Sequence, residues 1–321
     1  MPLITLLRVS VMSESEPSVD NEHEEGEEPI SKQGISLFAQ LVLLAVAVIW
    51  GWTFVLIKES LYHLGTFSFL FYRFLLAIAF LLVLFRRRMW PTEHRTWLRG
   101  ALVGSMLFFG YWLQTWGLNY TTAGNSAFIT GLFVVFVPIL EKVIFGTRVS
   151  PLIWLGSSLS VLGLCFMIFG GGATLSVSTI GDLLTLLCAL GFALHILLVG
   201  KFSNQENYLS LLFVQLLVVV FCSGAGMMAI GDLSFPQTLV GWRGVLITGV
   251  LATAFAYWAQ NKFQPLSTPT RTSIIFSGEP VFASLFGFIV LGEVFRGWQW
   301  FGAVCMLSAI LLANVYRGDD G

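Results

Sequence analysis

Residues 145–156, FGTRVSPLIWLG, lie without a gap over residues 291–302, LGEVFRGWQWFG, when the chain is slid on itself by 146 positions. Gly146 then falls on Gly292, Trp154 on Trp300 and Gly156 on Gly302, and upstream Thr122 falls on Thr268. Self-matching at one long offset marks an internal repeat, so the two halves read as one architecture used twice. They have also diverged. Opposite Pro280 the first copy has Val134, its own proline is Pro138, and it reads GTR where the second reads GEV.

Composition says what surrounds these copies. Of 321 residues, 56% are hydrophobic and 11% charged, with 29 Phe and 11 Trp. A soluble domain carries roughly 25% charged residues because its surface faces water. This chain cannot cover itself with charge, so its main solvent is lipid. The four cysteines, Cys165, Cys188, Cys222 and Cys305, lie within apolar runs with no CxxC and no histidine cluster, so neither a disulfide framework nor a metal site is expected. The net charge of -1 conceals a division: eight acids crowd residues 14–28, whereas from residue 36 onward there are 15 basic and 10 acidic residues. The acidic stretch has almost no apolar content, and residues 1–35 are expected to be a disordered tail. The opening MPLITLLRVSVM lacks a long apolar region and a small-residue cleavage site, so a signal peptide is not expected. Met12 opens the polar tail directly, and starts at Met1 and at Met12 both stand.

Apolar runs predict ten helices, at 36–57, 65–86, 97–117, 122–145, 151–170, 180–200, 208–230, 240–261, 270–292 and 297–316. The GGGA run at 170–173 is the clearest break, dividing a first repeat, 36–170, from a second, 174–316, before a short C-terminal tail, 317–321. With both termini cytoplasmic, the inner ends of the spans carry twelve Lys and Arg residues, among them Arg86, Arg87, Arg88 and Lys262, against Lys58, Arg243 and Arg296 outside. That is a strong positive-inside bias, and it agrees with an even number of spans. Five helices per copy is odd, so the second copy must be inverted in the membrane, the build of secondary transporters. The fold class is therefore all-α integral membrane, ten transmembrane helices as an inverted five-plus-five repeat.

The stretches AVAVIWGWTFVLIK (45–58), FYRFLLA (71–77), AFITGLFVVFVPIL (127–140), GDLLTLLCALGFALHILL (181–198) and GEPVFASLFGFIVLGE (278–293), in this order and spacing, resemble the EamA family of the drug/metabolite transporter superfamily. The resemblance covers residues 36–316 as two EamA-type repeats. It implies a ten-helix exporter or importer of small metabolites in the cell (inner) membrane, with substrate in a central cavity between the halves. It also places Trp50 on the inward face.

Polar residues inside apolar spans are the candidate working parts, since an ionised side chain at the centre of a membrane helix costs about 2.5–3.5 kcal/mol on insertion scales. Arg73 reads either as a snorkelling arginine or as a clamp for a carboxylate or phosphate. Glu279 reads either as a proton carrier or cation ligand, or as a carboxyl that forms one helix-breaking unit with Pro280. His195 is either a proton shuttle or a structural hydrogen-bond donor. Trp50, Arg73, Gln114, Asn125, Gln215, Tyr257 and Gln260 are the cavity candidates, an aromatic wall with a few polar anchors. Most other tryptophans read as interfacial belts, Trp112, Trp116, Trp242, Trp298 and Trp300 outside and Trp90, Trp97 and Trp258 inside. Gly156, Ser160 and Gly163 read as a close helix contact.

The expected function is secondary transport of small metabolites by alternating access, with export of amino acids or related organic compounds implied by the resemblance alone. No catalytic residues, cofactor or metal site is expected, and no phosphate-binding loop occurs to run an ATP-driven pump. Expected partners are a small-molecule substrate, the lipid bilayer and a second copy as a homodimer, but no nucleic acid. The alternative is a membrane-embedded enzyme acting on lipid or isoprenoid phosphates, which needs clustered Asp or His where the loops offer only scattered acids such as Glu93, Asp182 and Asp232.

Overall fold

The computed structural model describes residues 37–147, 149–169, 179–205, 207–291 and 297–315. The acidic tail 1–35, the GGGA break, Arg148, Arg296, the GEV stretch and residues 317–321 lie outside the described residues. Among those described, every regular element is helical. The first half contains α1 Leu37–Ser60, α2 Thr66–Phe85, α3 His94–Gly117, α4 Ala123–Gly131, α5 Phe133–Leu140 with a π turn Glu141–Phe145, and α6 Pro151–Phe169. The second contains α7 Thr179–Phe202, α8 Tyr208–Ile230, α9 Leu239–Gly249, a π turn Val250–Phe255, α10 Ala256–Phe263, a 3-10 turn Gln264–Leu266, α11 Pro269–Phe276, α12 Glu279–Leu291 and α13 Gly297–Val315.

Among the described residues six segments are long and apolar enough to cross a membrane: Leu37–Ser60, Thr66–Phe85, Ala123–Phe145, Ile180–Phe202, Tyr208–Ile230 and Leu239–Leu266. The remaining four predicted spans fall short for separate reasons. Helix α3 opens on His94, Arg95 and Arg99 and carries Tyr111 and Gln114 further in. The apolar stretches of α6 and α13 are the shorter Pro151–Met167 and Gly297–Ala313. The ninth predicted span is split into α11 and α12. Large apolar side chains such as Val83, Phe221, Leu239 and Leu311 point outward with well over half their surface exposed. An apolar exterior of that extent is unsuited to water and suited to lipid.

The helix boundaries repeat. Helices α1 and α7 both have 24 residues and start 142 positions apart, and α2 and α8 also start 142 apart. From the third helix on the offset is 146, because α5 and α12 start 146 apart, as do α6 and α13. Thr122 caps α4 by accepting the Asn125 N–H, and Thr268 caps α11 by accepting the Arg271 N–H, again 146 apart. The chain break inside each unit is also shared. Leu132 N–H donates to Ile129 O at 3.2 Å and Gly278 N–H to Ile275 O at 3.2 Å, and the next helix opens with Val135 to Leu132 O at 2.9 Å and Val281 to Gly278 O at 3.0 Å.

Glu279 and Pro280 open α12 directly after the break at Ser277 and Gly278, and a break of the same form occurs at Leu132, where Phe133 and Val134 follow. Pro280 sits in the first turn of α12, where a missing N–H has no helical acceptor to lose.

Close helix crossings lock the units together. A Cβ on Gly163 would lie 2.7 Å from Gly302 O, and one on Gly302 would lie 2.7 Å from Gly163 O, so α6 and α13 meet backbone to backbone. A Cβ on Gly51 would lie 2.5 Å from Glu279 O, so α1 runs directly against the start of α12. Two apolar cores result, one around Leu43, Val137 and Met306, the other around Phe69, Phe74 and Leu107, and Trp50 packs against both.

Candidate functional site

Between the two cores lies a partly open cavity with about 500 Å³ of space not occupied by atoms, open surroundings included. Helix α1 gives it Trp50, Thr53, Phe54 and Ile57, which share one face at helical spacing. Arg73 comes from α2, Tyr111 and Gln114 from α3, Thr130 and Phe133 from either side of the first break. The second half contributes Phe192, His195 and Ile196 from α7, Tyr257 and Gln260 from α10, and Phe276 and Glu279 from either side of the second break.

The two offsets pair these residues. At 142 positions Trp50 matches Phe192, Thr53 matches His195 and Phe54 matches Ile196. At 146 positions Tyr111 matches Tyr257, Gln114 matches Gln260, Thr130 matches Phe276 and Phe133 matches Glu279. Fourteen of the sixteen lining residues thus have their mate in the lining. Only Ile57 and Arg73 do not; their mates are Val199 and Gln215. At the centre a matched pair touches, with Tyr257 Oη donating to Tyr111 Oη at 2.8 Å.

Arg73 is 1% exposed and held on neutral groups. Its Nε donates to Thr253 Oγ1 at 2.8 Å and its Nη2 to Tyr111 Oη at 3.1 Å, while its guanidinium carbon stands 4.5 Å from the centre of the Tyr111 ring. Thr253 in turn donates to Thr248 O, five residues back, at 2.8 Å. A buried hydroxyl on the helical ladder accounts for the π turn at Val250–Phe255, so this irregular turn is also what holds Arg73. Arg73 Nη1 is buried and has no partner among the described residues. A snorkelling arginine would reach water, and this one does not.

The remaining candidates divide. Trp50 donates from Nε1 to Ala252 O at 2.8 Å and presents its ring to Tyr257 and Phe276 at 5.6 and 4.9 Å between centres. Glu279 is buried in the wall, and its carboxyl has no hydrogen bond or ion pair among the described residues. Gln114 Nε2 donates to Thr130 Oγ1 at 3.2 Å. His195 lines the cavity with Nε2 on Gln215 Oε1 at 2.8 Å. Gln215 and Asn125 are buried but outside the lining, Gln215 because its amide is spent on His195 and Asn261, Asn125 because it sits in the capped first turn of α4. Pro280 lies beside the lining rather than in it.

Reading the sequence missed Tyr111, Thr53, Thr130, Phe133, Phe192 and Phe276. Tyr111 was within reach, since it stands 146 positions before Tyr257, a distance the repeat already defined. The shorter offset of the first two helices is the signal that would have paired Thr53 with His195.

The model of the EamA-like transporter family matches residues 37–169 and again residues 179–315, with starts 142 and ends 146 positions apart, like the helices. The chain belongs to the EamA family. An uncharacterised transporter of Archaeoglobus fulgidus is 33% identical to it over 279 residues, covering 87% of this chain and 86% of that one. A chloroplastic WAT1-related protein of Arabidopsis thaliana is 26% identical over 299 residues, covering 87% and 70%. A protein of known crystal structure shares the fold at a TM-score of 0.69 and 14% identity, covering 87% of this chain and 98% of that one. As an EamA protein of the drug/metabolite transporter superfamily with long apolar helices, the chain is a multi-pass membrane transporter.

Proposed function

We propose that this EamA protein is a secondary transporter that carries a small organic solute through the central cavity by alternating access, using two inverted five-helix units, residues 36–170 and 174–316. The observation that carries the reading is the wall of matched pairs. A cavity built from equivalent positions of two related units lies on their interface, where exchanging the conformations of the units moves the opening from one side to the other. The excess of Lys and Arg at one set of helix ends supports cytoplasmic termini in the inner membrane.

Arg73 is the anion-binding group in this reading. A buried guanidinium whose described partners are hydroxyls and aromatic faces is short of a counter-charge, and a carboxylate or phosphate on the solute supplies it. Amino acids or related organic compounds, moved outward, are the leading substrates on family resemblance. Glu279 is the group available for coupling to protons, a reading supported by the similar break at Leu132, which has no carboxylate beside it. The test is counterflow in proteoliposomes after a screen of amino acids, sugars, nucleosides, polyamines and drug-like cations for thermal stabilisation of the purified protein. Exchange of a stabilising compound supports the reading, and stabilisers that are never exchanged contradict it.

A further inference from the structure

The hydrogen-bond polarity of the second half's wall is set by buried atoms that do not line the cavity. On the first half's side Arg73 can only donate, while Gln114, its Nε2 on Thr130 Oγ1, keeps its oxygen as an acceptor. Its mate 142 positions on is Gln215, which never reaches the cavity. Gln215 belongs instead to a chain of hydrogen bonds that starts on a backbone carbonyl. Tyr257 O accepts from Asn261 Nδ2 at 2.9 Å, and a carbonyl can only accept, so Asn261 turns its oxygen the other way. Gln215 Nε2 donates to that oxygen at 2.9 Å, which leaves Gln215 Oε1 facing His195 Nε2 at 2.8 Å. An amide oxygen cannot donate, so Nε2 carries the proton, and the neutral ring keeps its lone pair on Nδ1.

A second chain has the same logic. Ile196 O accepts from Gln264 Nε2 at 2.5 Å, and Gln264 Oε1 accepts from Gln260 Nε2 at 2.8 Å. Gln260 Oε1 is left buried with no partner among the described residues, on a side chain that lines the cavity. Gln215, Asn261 and Gln264 are each fully buried. Two separate chains, each anchored on a main-chain carbonyl, thus end on cavity residues with an acceptor to spare, and the Glu279 carboxyl adds another.

We propose that Asn261–Gln215–His195 and Gln264–Gln260 are polarity-setting chains that hold the second half's wall as a hydrogen-bond acceptor. That wall takes the N–H- or O–H-bearing end of a solute whose anionic end lies on Arg73. Gln215, Asn261 and Gln264 are positioning residues, acting through His195 and Gln260. The inference rests on the cavity being the solute site, and it narrows the substrate class to bifunctional acids, either amino or hydroxy, over simple anions and simple amines.

Three acids on one carbon skeleton, leucine, 2-hydroxy-4-methylpentanoate and 4-methylpentanoate, and the amine that lacks the carboxyl carbon, 3-methylbutylamine, test it. Each is titrated against the full-length protein by thermal stabilisation and then offered for counterflow in proteoliposomes. The expected result is that the amino or the hydroxy acid acts at about tenfold lower concentration than 4-methylpentanoate, the worth of one buried hydrogen bond. Gln215→Met and Gln264→Met should each reduce that preference while the response to 4-methylpentanoate is kept. Equal responses to the acids with and without the donor group, no response to any of the four, or variants that weaken all responses alike would overturn the assignment. The variants lie in separate chains, so misfolding of one leaves the other to decide, and if both misfold the wild-type preference decides. Binding with the expected preference but no exchange would leave the assignment standing and overturn the transport reading.

Discussion

Arg73 is the side chain whose surroundings say most about what it does. Its fork is oriented by Thr253 and Tyr111 and capped by an aromatic face, leaving one nitrogen for a ligand. Lysine keeps the charge and loses the fork. Arg73→Lys should therefore weaken exchange of anionic solutes by about tenfold or more, the scale of a hydrogen bond to a charged group, with neutral solutes little changed. Uniform loss over both classes would assign Arg73 to the fold. Glu279 calls for a different comparison. Because the similar break at Leu132 has no carboxylate beside it, Glu279→Gln should give a folded protein that still exchanges solute for solute but no longer accumulates it against a gradient when driven by acid. Loss of folded protein would return Glu279 to a structural role. The sequence made both residues visible because charge within an apolar run is conspicuous. It could not show that His195, Gln215 and Asn261 form a chain, since they lie on three helices and no spacing connects them.

Helix ends and breaks were legible in part. The equivalence of Thr122 and Thr268 emerges from the offset alone though their capping does not, and the apolar runs located most spans. The break in the ninth span was not legible, because a proline draws attention to itself whereas the break belongs to a backbone pattern that Leu132 shows equally well. It follows that Pro280→Val, which installs the residue type found at the equivalent Val134, should change stability by no more than about 1 kcal/mol. Chemical or thermal denaturation measures it, and a larger loss would restore the proline to the break. The crossing of α6 and α13 has no such tolerance. Gly163→Val would force side-chain atoms into Gly302 O and should cost about 1–3 kcal/mol or more. At the start of α2 the cap comes from far along the chain. Asp232 Oδ2 accepts from the N–H groups of Phe67 and Ser68 at 3.0 and 3.1 Å. Asp232→Ala should lower stability by about 1–2 kcal/mol, and an unchanged melting temperature would contradict that role.

For the whole molecule, the repeat is the organising fact. A single offset of 146 was enough to recognise two copies, but α1 and α2 follow their counterparts at 142, and that shift kept three of the seven matched pairs in the cavity wall from being paired in advance. With both offsets in hand, framework and chemistry separate. The lining is matched almost position for position, and both charged groups stand opposite uncharged residues, Arg73 opposite Gln215 and Glu279 opposite Phe133. Equal scaffolds allow two conformations to exchange, and unequal polar groups let a solute bind in one orientation.

That reading requires the two units to be inverted in the membrane, and a pair of cysteines decides it. His63 and Gln205 are exposed, stand 142 positions apart, and follow equivalent helices, α1 and α7. In a cysteine-free background in intact cells, His63→Cys should react with a membrane-impermeant thiol reagent from outside, and Gln205→Cys should react only after permeabilisation. Labelling of both cysteines from the same side would contradict an inverted repeat and, with it, alternating access between two halves of one cavity.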